Sequence, residues 1–223
     1  ELRRAMERFF ADEGNKFISP VGDLLGLVVP HAGYYYSGAC AAAAFQALRG
    51  KNYQKVIIIS PSHRAYPAPL LTSGHDAYET PLGLVTVDHL ALNQLNTILN
   101  NHHLGLKTVR FDQEHALEIE LPFLQFTLGN DFEILPIMMV DQRENTAQAL
   151  ALAVQENWGD LPKAFQTYAN RRWERVAKVQ TQSRRNGDIY HMQGMMRMAR
   201  NAALRLAGPK LMEMPWLYQG PRI

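Results

Sequence analysis

Two histidines follow apolar runs that end at a proline. Leu24-Leu25-Gly26-Leu27-Val28-Val29 leads into Pro30-His31, and Val56-Ile57-Ile58-Ile59 leads into Ser60-Pro61-Ser62-His63. Neutral imidazole is a ligand for zinc, iron, copper and nickel and carries protons near neutral pH. A catalytic metal usually takes three protein ligands, so His31 and His63 alone are a partial set. The same residues also suit loop histidines bonded to backbone. Glu114-His115 offers a carboxylate and a third imidazole, or else a solvated helix face. Tyr34 and Ser62, next to the two histidines, are further candidate pocket residues. Asp76, Glu79 and Thr80 suit turn chemistry, and His102-His103 suits a helix end. No dinucleotide-binding glycine pattern, P-loop, G-x-S-x-G or C-x-x-C is present, so nucleotide binding and serine hydrolysis lack motif support.

The elements that must position these residues read as an α/β pattern. Leu2 to Phe10 has helical spacing, with a stop at Gly14-Asn15, and residues 17–23 read as a loop. Leu24 to Val29 reads as a buried strand. Ser37 can cap an Ala-rich helix stopped by Gly50, in which Cys40 is expected as a small buried core residue. Lys55 to Ser60 is the next strand. Strand, helix and strand should form a right-handed parallel unit, and both histidine loops would then face one crevice at the carboxyl ends of the strands. Leu70 to Ser73 and Gly83 to Val87 are expected to be short paired strands. Asp88 can cap a helix from His89 to Leu99, and Leu106 to Val109 is another short strand. Over Phe111 to Phe126 a helix would put His115, Glu118 and Pro122 on one face, with Pro122 kinking it or starting a new one. Phe132 to Val140 is a strand whose Pro136 predicts an edge position or a bulge. Asn145 to Val154 reads as a helix, and no strand is expected after Val140.

The composition changes near residue 157. Residues 1–156 hold 11 Lys and Arg against 17 Asp and Glu, and residues 157–223 hold 12 against 4. The second part reads as two basic helices, Leu161 to Arg184 broken at Asn186-Gly187, and Met192 to Leu206 stopped at Gly208-Pro209. An apolar tail, Met214 to Tyr218, is expected to lie on another surface. Leu, Met and Ala mixed with the arginines favour a solvated helical face over a nucleic-acid interface. No run has the length of a membrane span, and the charged start lacks a signal-peptide apolar region. With one cysteine no internal disulfide can form, and a cytoplasmic location is expected. A small molecule is the expected ligand. An open sheet edge would offer contact to a protein partner or a second copy.

Five ordered blocks carry a resemblance. They are Val29-Pro30-His31-Ala32-Gly33-Tyr34 with Ser37-Gly38, Ser60-Pro61-Ser62-His63-Arg64, Tyr78-Glu79-Thr80-Pro81-Leu82-Gly83, Glu114-His115-Ala116-Leu117-Glu118-Ile119-Glu120-Leu121-Pro122-Phe123, and Ile134-Leu135-Pro136-Ile137. Through these, residues 1 to about 155 resemble the Memo family, including the AmmeMemoRadiSam system protein B. The resemblance implies an α/β fold related to class III extradiol dioxygenases, which use non-haem iron, and a metal-ligand role for His31 and His63. A bound divalent metal such as iron, copper or zinc is the implied cofactor. Many members have a second His where this chain has Arg64, and a His where Glu120 stands. The family's later Ser-Ser-Asp strand and the Cys-Gly segment that supplies a third ligand do not follow Val140.

Residues 157–220 resemble the C-terminal helices of FAD-dependent aromatic hydroxylases of the salicylate hydroxylase type. The match lies in Asp160 to Arg172, Ser183 to His191, Ala199 to Arg205 and Trp216-Leu217-Tyr218. That family's flavin-binding glycine fingerprint is missing, so the resemblance does not imply flavin binding. The expected organisation is a Memo-like α/β domain over residues 1–156, with a partial sheet and flanking helices. A basic helical extension follows over 157–223, so that two incomplete families are joined. The expected function is an incomplete metal site of doubtful catalytic activity. The alternatives are a flavin monooxygenase fragment or a non-enzymatic interaction module.

Overall fold

The computed structural model describes residues 1–14, 24–111, 113–158 and 161–208. The expected loop at 17–23 and the tail at 214–218 lie outside the described residues. The chain groups into two compact units, Glu1–Pro162 and Lys163–Ile223.

The first unit is a mixed six-stranded sheet with flanking helices, an α/β architecture. Its strands are β1 (Lys55–Pro61), β2 (Leu70–Ser73), β3 (Ala77–Thr80), β4 (Gly83–Val87), β5 (Leu106–Val109) and β6 (Glu133–Met139). β6 is central. It runs parallel to β1 over its whole length, and on its other side it meets β4 in parallel and β2 antiparallel. β2 also pairs with β5, and β3 pairs with β4. The expected pairing of β2 with β4 therefore does not form; the Asp76–Thr80 stretch contributes β3 instead, and β4 takes that as its partner.

Pro136 lies in this central strand, not at an edge or a bulge. The reason is a gap in the ladder. β4 pairs with Glu133 and Ile134, and β2 pairs with Met138 and Met139, leaving Leu135 to Ile137 unmatched on that side. Alternate residues of a strand direct their N–H and C=O to the same side. Ile134 C=O accepts from Asp88 N–H on that side, and Pro136 C=O accepts from the Thr72 hydroxyl at 2.6 Å. The missing Pro136 donor thus falls where no strand needs it.

Leu24 to Val29 forms no strand. Leu25 and Val28 are exposed, and only Leu24, Leu27 and Val29 pack partly against the core. A continuous apolar run predicts two covered faces, but a strand also needs a ladder partner, and β1 pairs with β6 alone. The expected parallel strand–helix–strand unit is absent for that reason.

The helices of this unit are α1 (Leu2–Gly14), α2 (Tyr34–Phe45), α3 (His89–Asn101), α4 (Leu121–Leu128) and α5 (Glu144–Trp158). Gly33, not Ser37, is at the cap of α2; the Ser37 hydroxyl sits in the first turn and donates to Ala32 C=O at 2.9 Å. Cys40 is exposed rather than buried, because it falls on the face of α2 opposite Ala41, Ala42 and Phe45. Gly38 does lie at a close approach: a Cβ there would come within 2.7 Å of the Phe9 ring. Asp88 caps α3 as expected, accepting from Ala91 N–H at 2.9 Å. An aromatic cluster locks α1, α2 and α4 together. Phe123 is fully buried, stacks on Phe45 at 5.3 Å, meets Tyr34 edge-on at 5.7 Å, and lies 6.2 Å from Phe10. Such pairs add about 0.5–1.5 kcal/mol each beyond the area they bury.

The second unit holds α6 (Leu161–Tyr190) from Lys163 onward, and α7 (Gly194–Ala207). α6 runs through Asn186-Gly187 instead of breaking there, and His191 N–H still reaches Gly187 C=O. A glycine inside a helix costs only about 1 kcal/mol, which is too little to stop one. Arg200 in the middle of α7 donates to the carbonyls of Ile189 and Tyr190 at 3.0 and 2.7 Å, tying α7 to the end of α6. Among the described residues no strand follows β6, and no helix is long and apolar enough to cross a membrane.

Candidate functional site

His63 lies just past the carboxyl end of β1, where Ser62 N–H continues the ladder to Met139 C=O at 2.9 Å. His31 lies just before the cap of α2. Although its approach is not a strand, the two imidazoles come together, with ring centroids 5.3 Å apart and planes inclined at 50°. They line one cavity of about 440 Å³ with Arg64, Gln113, Glu114, His115, Ala116 and Ile119. A second cavity, about 350 Å³, opens at the other end of the sheet beside Lys55, Asp131 and Glu133 and contains no histidine.

Glu114 organises the site. Its carboxylate accepts from His63 N–H at 2.5 Å and from the His115 and Ala116 N–H groups at 3.0 Å each, and both its oxygens lie 3.1 Å from His63 Nδ1. Burial pushes this carboxyl upward, but the donors of His63 and Ala116 outweigh it and hold it at about 2. It is therefore ionised at neutral pH. Nδ1 of His63 must then be the donor, which leaves Nε2 as the ring nitrogen not engaged by this carboxylate. A carboxylate behind a histidine in this way fixes the tautomer and the ring, as it does behind metal-bound histidines.

The stretch that supplies Glu114 is not the single helix expected. The chain turns through 114–117, makes a 3-10 turn at Glu118–Glu120, and begins α4 with Pro122 in its first turn. Pro122 is thus a helix start, where its missing donor does no harm. The local contact between His115 Nδ1 and Glu118 survives at 3.0 Å. Tyr34 and Ser62 do not line the cavity. The Tyr34 hydroxyl donates to Ile119 C=O at 3.2 Å, and burial, then the Glu120 carboxyl, pushes it up to about 12. The Ser62 hydroxyl donates to Arg64 C=O at 3.0 Å and shapes the turn after β1.

Sequence reasoning passed over Arg64, Gln113, Ala116 and Ile119 as cavity walls. Arg64, Ala116 and Ile119 stand within the blocks that carry the resemblance and Gln113 beside one, but their types alone give none of them a place in a cavity. It also passed over the burial of Glu120, which is 5% exposed with both carboxyl oxygens lacking a hydrogen-bond partner. Desolvation pushes that carboxyl up to about 8.

Two imidazoles on one tetrahedral ion, at a metal–nitrogen distance of about 2.1 Å, would set their centroids roughly 5 Å apart. His31 and His63 meet that spacing. Among the described residues, no three His, Cys, Asp or Glu side chains gather as a metal-holding group. The pair thus has the ring spacing of two such ligands, and among the described residues no third side chain of these types joins it.

A sequence model of the Memo-like protein family matches residues 1–208. This chain belongs to the Memo-like family. It is similar to MEMO1 family proteins of Methanococcoides burtonii (40% identity over 133 residues, 59% of this chain and 47% of the relative) and Nitrosopumilus maritimus (35% over 141, 63% and 50%). The Thermotoga neapolitana MEMO1 family protein is 40% identical over 142 residues, 63% of this chain and 49% of that one. The chain spans about half the length of the curated relatives it matches. The Memo-like match runs through the change in composition at residue 157, and none of these comparisons supports the hydroxylase resemblance of residues 157–220.

Proposed function

We propose that this Memo-like chain binds a divalent transition metal, iron, copper or zinc, through His31 and His63 in the 440 Å³ cavity, with a small molecule as its ligand. The observation that carries the reading is the convergence of the two rings at 5.3 Å with Glu114 behind His63. Glu114 would hold the His63 ring and its tautomer. His115, which also lines the cavity, would be the group to hold or pass a proton there. Ala116 and Ile119 would exclude water from one side. A metal bound there would supply Lewis-acid or redox chemistry. Flavin chemistry is not proposed.

The test is metal analysis of the purified chain for iron, copper and zinc, repeated on His31→Ala and His63→Ala. Metal in the wild type that is lost in both variants is the expected result. No tight metal, or metal unchanged in His31→Ala, would overturn the proposal.

A further inference from the structure

Among the described residues Glu114 is the only carboxylate lining the histidine cavity, and that group turns into the wall, toward the N–H groups of His63, His115 and Ala116. Glu118, nearby, is engaged by His115 Nδ1 and does not line the cavity. Arg64 does line it, is exposed, and makes no side-chain hydrogen bond or ion pair among the described residues. Its backbone is held on both sides of the turn: Ser62 Oγ donates to Arg64 C=O at 3.0 Å and accepts from Arg64 N–H at 3.4 Å. The lining thus combines a residue whose guanidinium has no side-chain partner among the described residues with imidazoles and the apolar Ala116 and Ile119. A guanidinium offers paired, planar donors that match a carboxylate, and it is more weakly hydrated than an ammonium.

We propose that Arg64 makes this cavity a site for a small carboxylate with an apolar body. The anion would take the Arg64 fork, and the body would lie on Ala116 and Ile119. The proposal deepens the metal-site reading, since it concerns the same cavity, but the guanidinium does not depend on a metal.

The test uses the full chain as purified and again after chelation, with metal content measured alongside. Benzoate, neutral benzamide and inorganic phosphate are titrated by calorimetry, with the ring-proton signals of the histidines followed by NMR. Saturable benzoate binding is expected, at least tenfold tighter than benzamide and tighter than phosphate, with shifts in the histidine signals. Arg64→Gln should lose tenfold or more for benzoate while leaving benzamide and metal content unchanged, and Arg64→Lys should fall between. Circular dichroism of each variant checks folding. Equal binding of benzoate and benzamide, stronger binding of phosphate, no benzoate binding, or a folded Arg64→Gln that binds benzoate as the wild type does would each overturn the proposal. Metal loss in His31→Ala with benzoate binding intact would separate the two readings, as would benzoate binding to a chain that holds no metal.

Discussion

Glu114 and Glu120 stand in one short segment, are 8% and 5% exposed, and have carboxyl groups driven in opposite directions. Glu114, at the cavity wall, sits where the chain turns and three backbone N–H groups point inward, and it stays ionised down to about 2. Glu120, in the 3-10 turn that leads into α4, finds no donor and is pushed up to about 8. Burial alone does not set the charge of a carboxyl group; the donors available at the buried position do. The wall of the cavity is consequently a place built to hold a charge, and the region under Glu120 is one that tolerates a neutral acid.

The largest expected effect comes from removing the well-partnered member. Glu114→Ala leaves the N–H groups of His63, His115 and Ala116 without their acceptor, and should destabilise the chain by about 3–5 kcal/mol in urea unfolding. A loss below about 1 kcal/mol would mean that the donor network contributes little.

The acid limb follows. Glu114 has a folded value of about 2 against an ordinary 4.5, so its contribution is complete above pH 4.5 and is lost as pH falls toward 2. The slope should approach roughly 1.4 kcal/mol per pH unit in that window and should be missing in Glu114→Gln. Glu120 acts with the other sign. Its folded value of about 8 exceeds 4.5, so the folded state keeps a proton that the unfolded state has released. Stability from this group falls as pH rises from 4.5 to 8 and levels off above that. Glu120→Gln should flatten that limb and raise stability at pH 8 by about 2–3 kcal/mol, less than the full shift because the amide is also unpartnered. Unfolding midpoints of both variants from pH 3 to 9 test the pair together; parallel curves for wild type and Glu120→Gln would break the contrast.

Asp88 offers the mildest comparison. It is buried, accepts from Ala91 N–H and pairs with the half-exposed Lys55 at 2.5 Å; burial raises its carboxyl, but these donors bring it below the ordinary value. Asn caps a helix about as well as Asp, and an ion pair open to water is weak. Asp88→Asn should therefore cost only about 0.5–1 kcal/mol in urea unfolding.

Much of the fold was legible where the local signal and the tertiary answer coincide. Lys55 to Ser60 and Leu106 to Val109 are strands because their apolar patterns meet partners, and Asp88 caps α3 because capping is decided within three residues. Leu24 to Val29 has an equally strong apolar pattern and no ladder partner, so the pattern alone misleads. Pro136 misleads the other way: a proline argues for an edge, but a ladder gap between β4 and β2 accommodates it at the centre. Cys40 could not be placed from an Ala-rich run, since small apolar residues on every face of a helix do not say which face packs.

For the site, the sequence by itself determined the chemical inventory: His31, His63, Glu114 and His115, in blocks whose order resembles the Memo family, with Arg64 next to His63. Side-chain type is local information, and it limits what a cavity can hold. Only the tertiary structure decided the arrangement. It brought His31 to 5.3 Å from His63 without the strand that should have carried it there, and it set Glu114 against an imidazole far along the chain. It also placed Arg64 in the lining of the same cavity and gave two nearby glutamates opposite charge preferences. These outcomes depend on which backbone donors and packed rings surround each group, and chain contacts between distant segments create that environment.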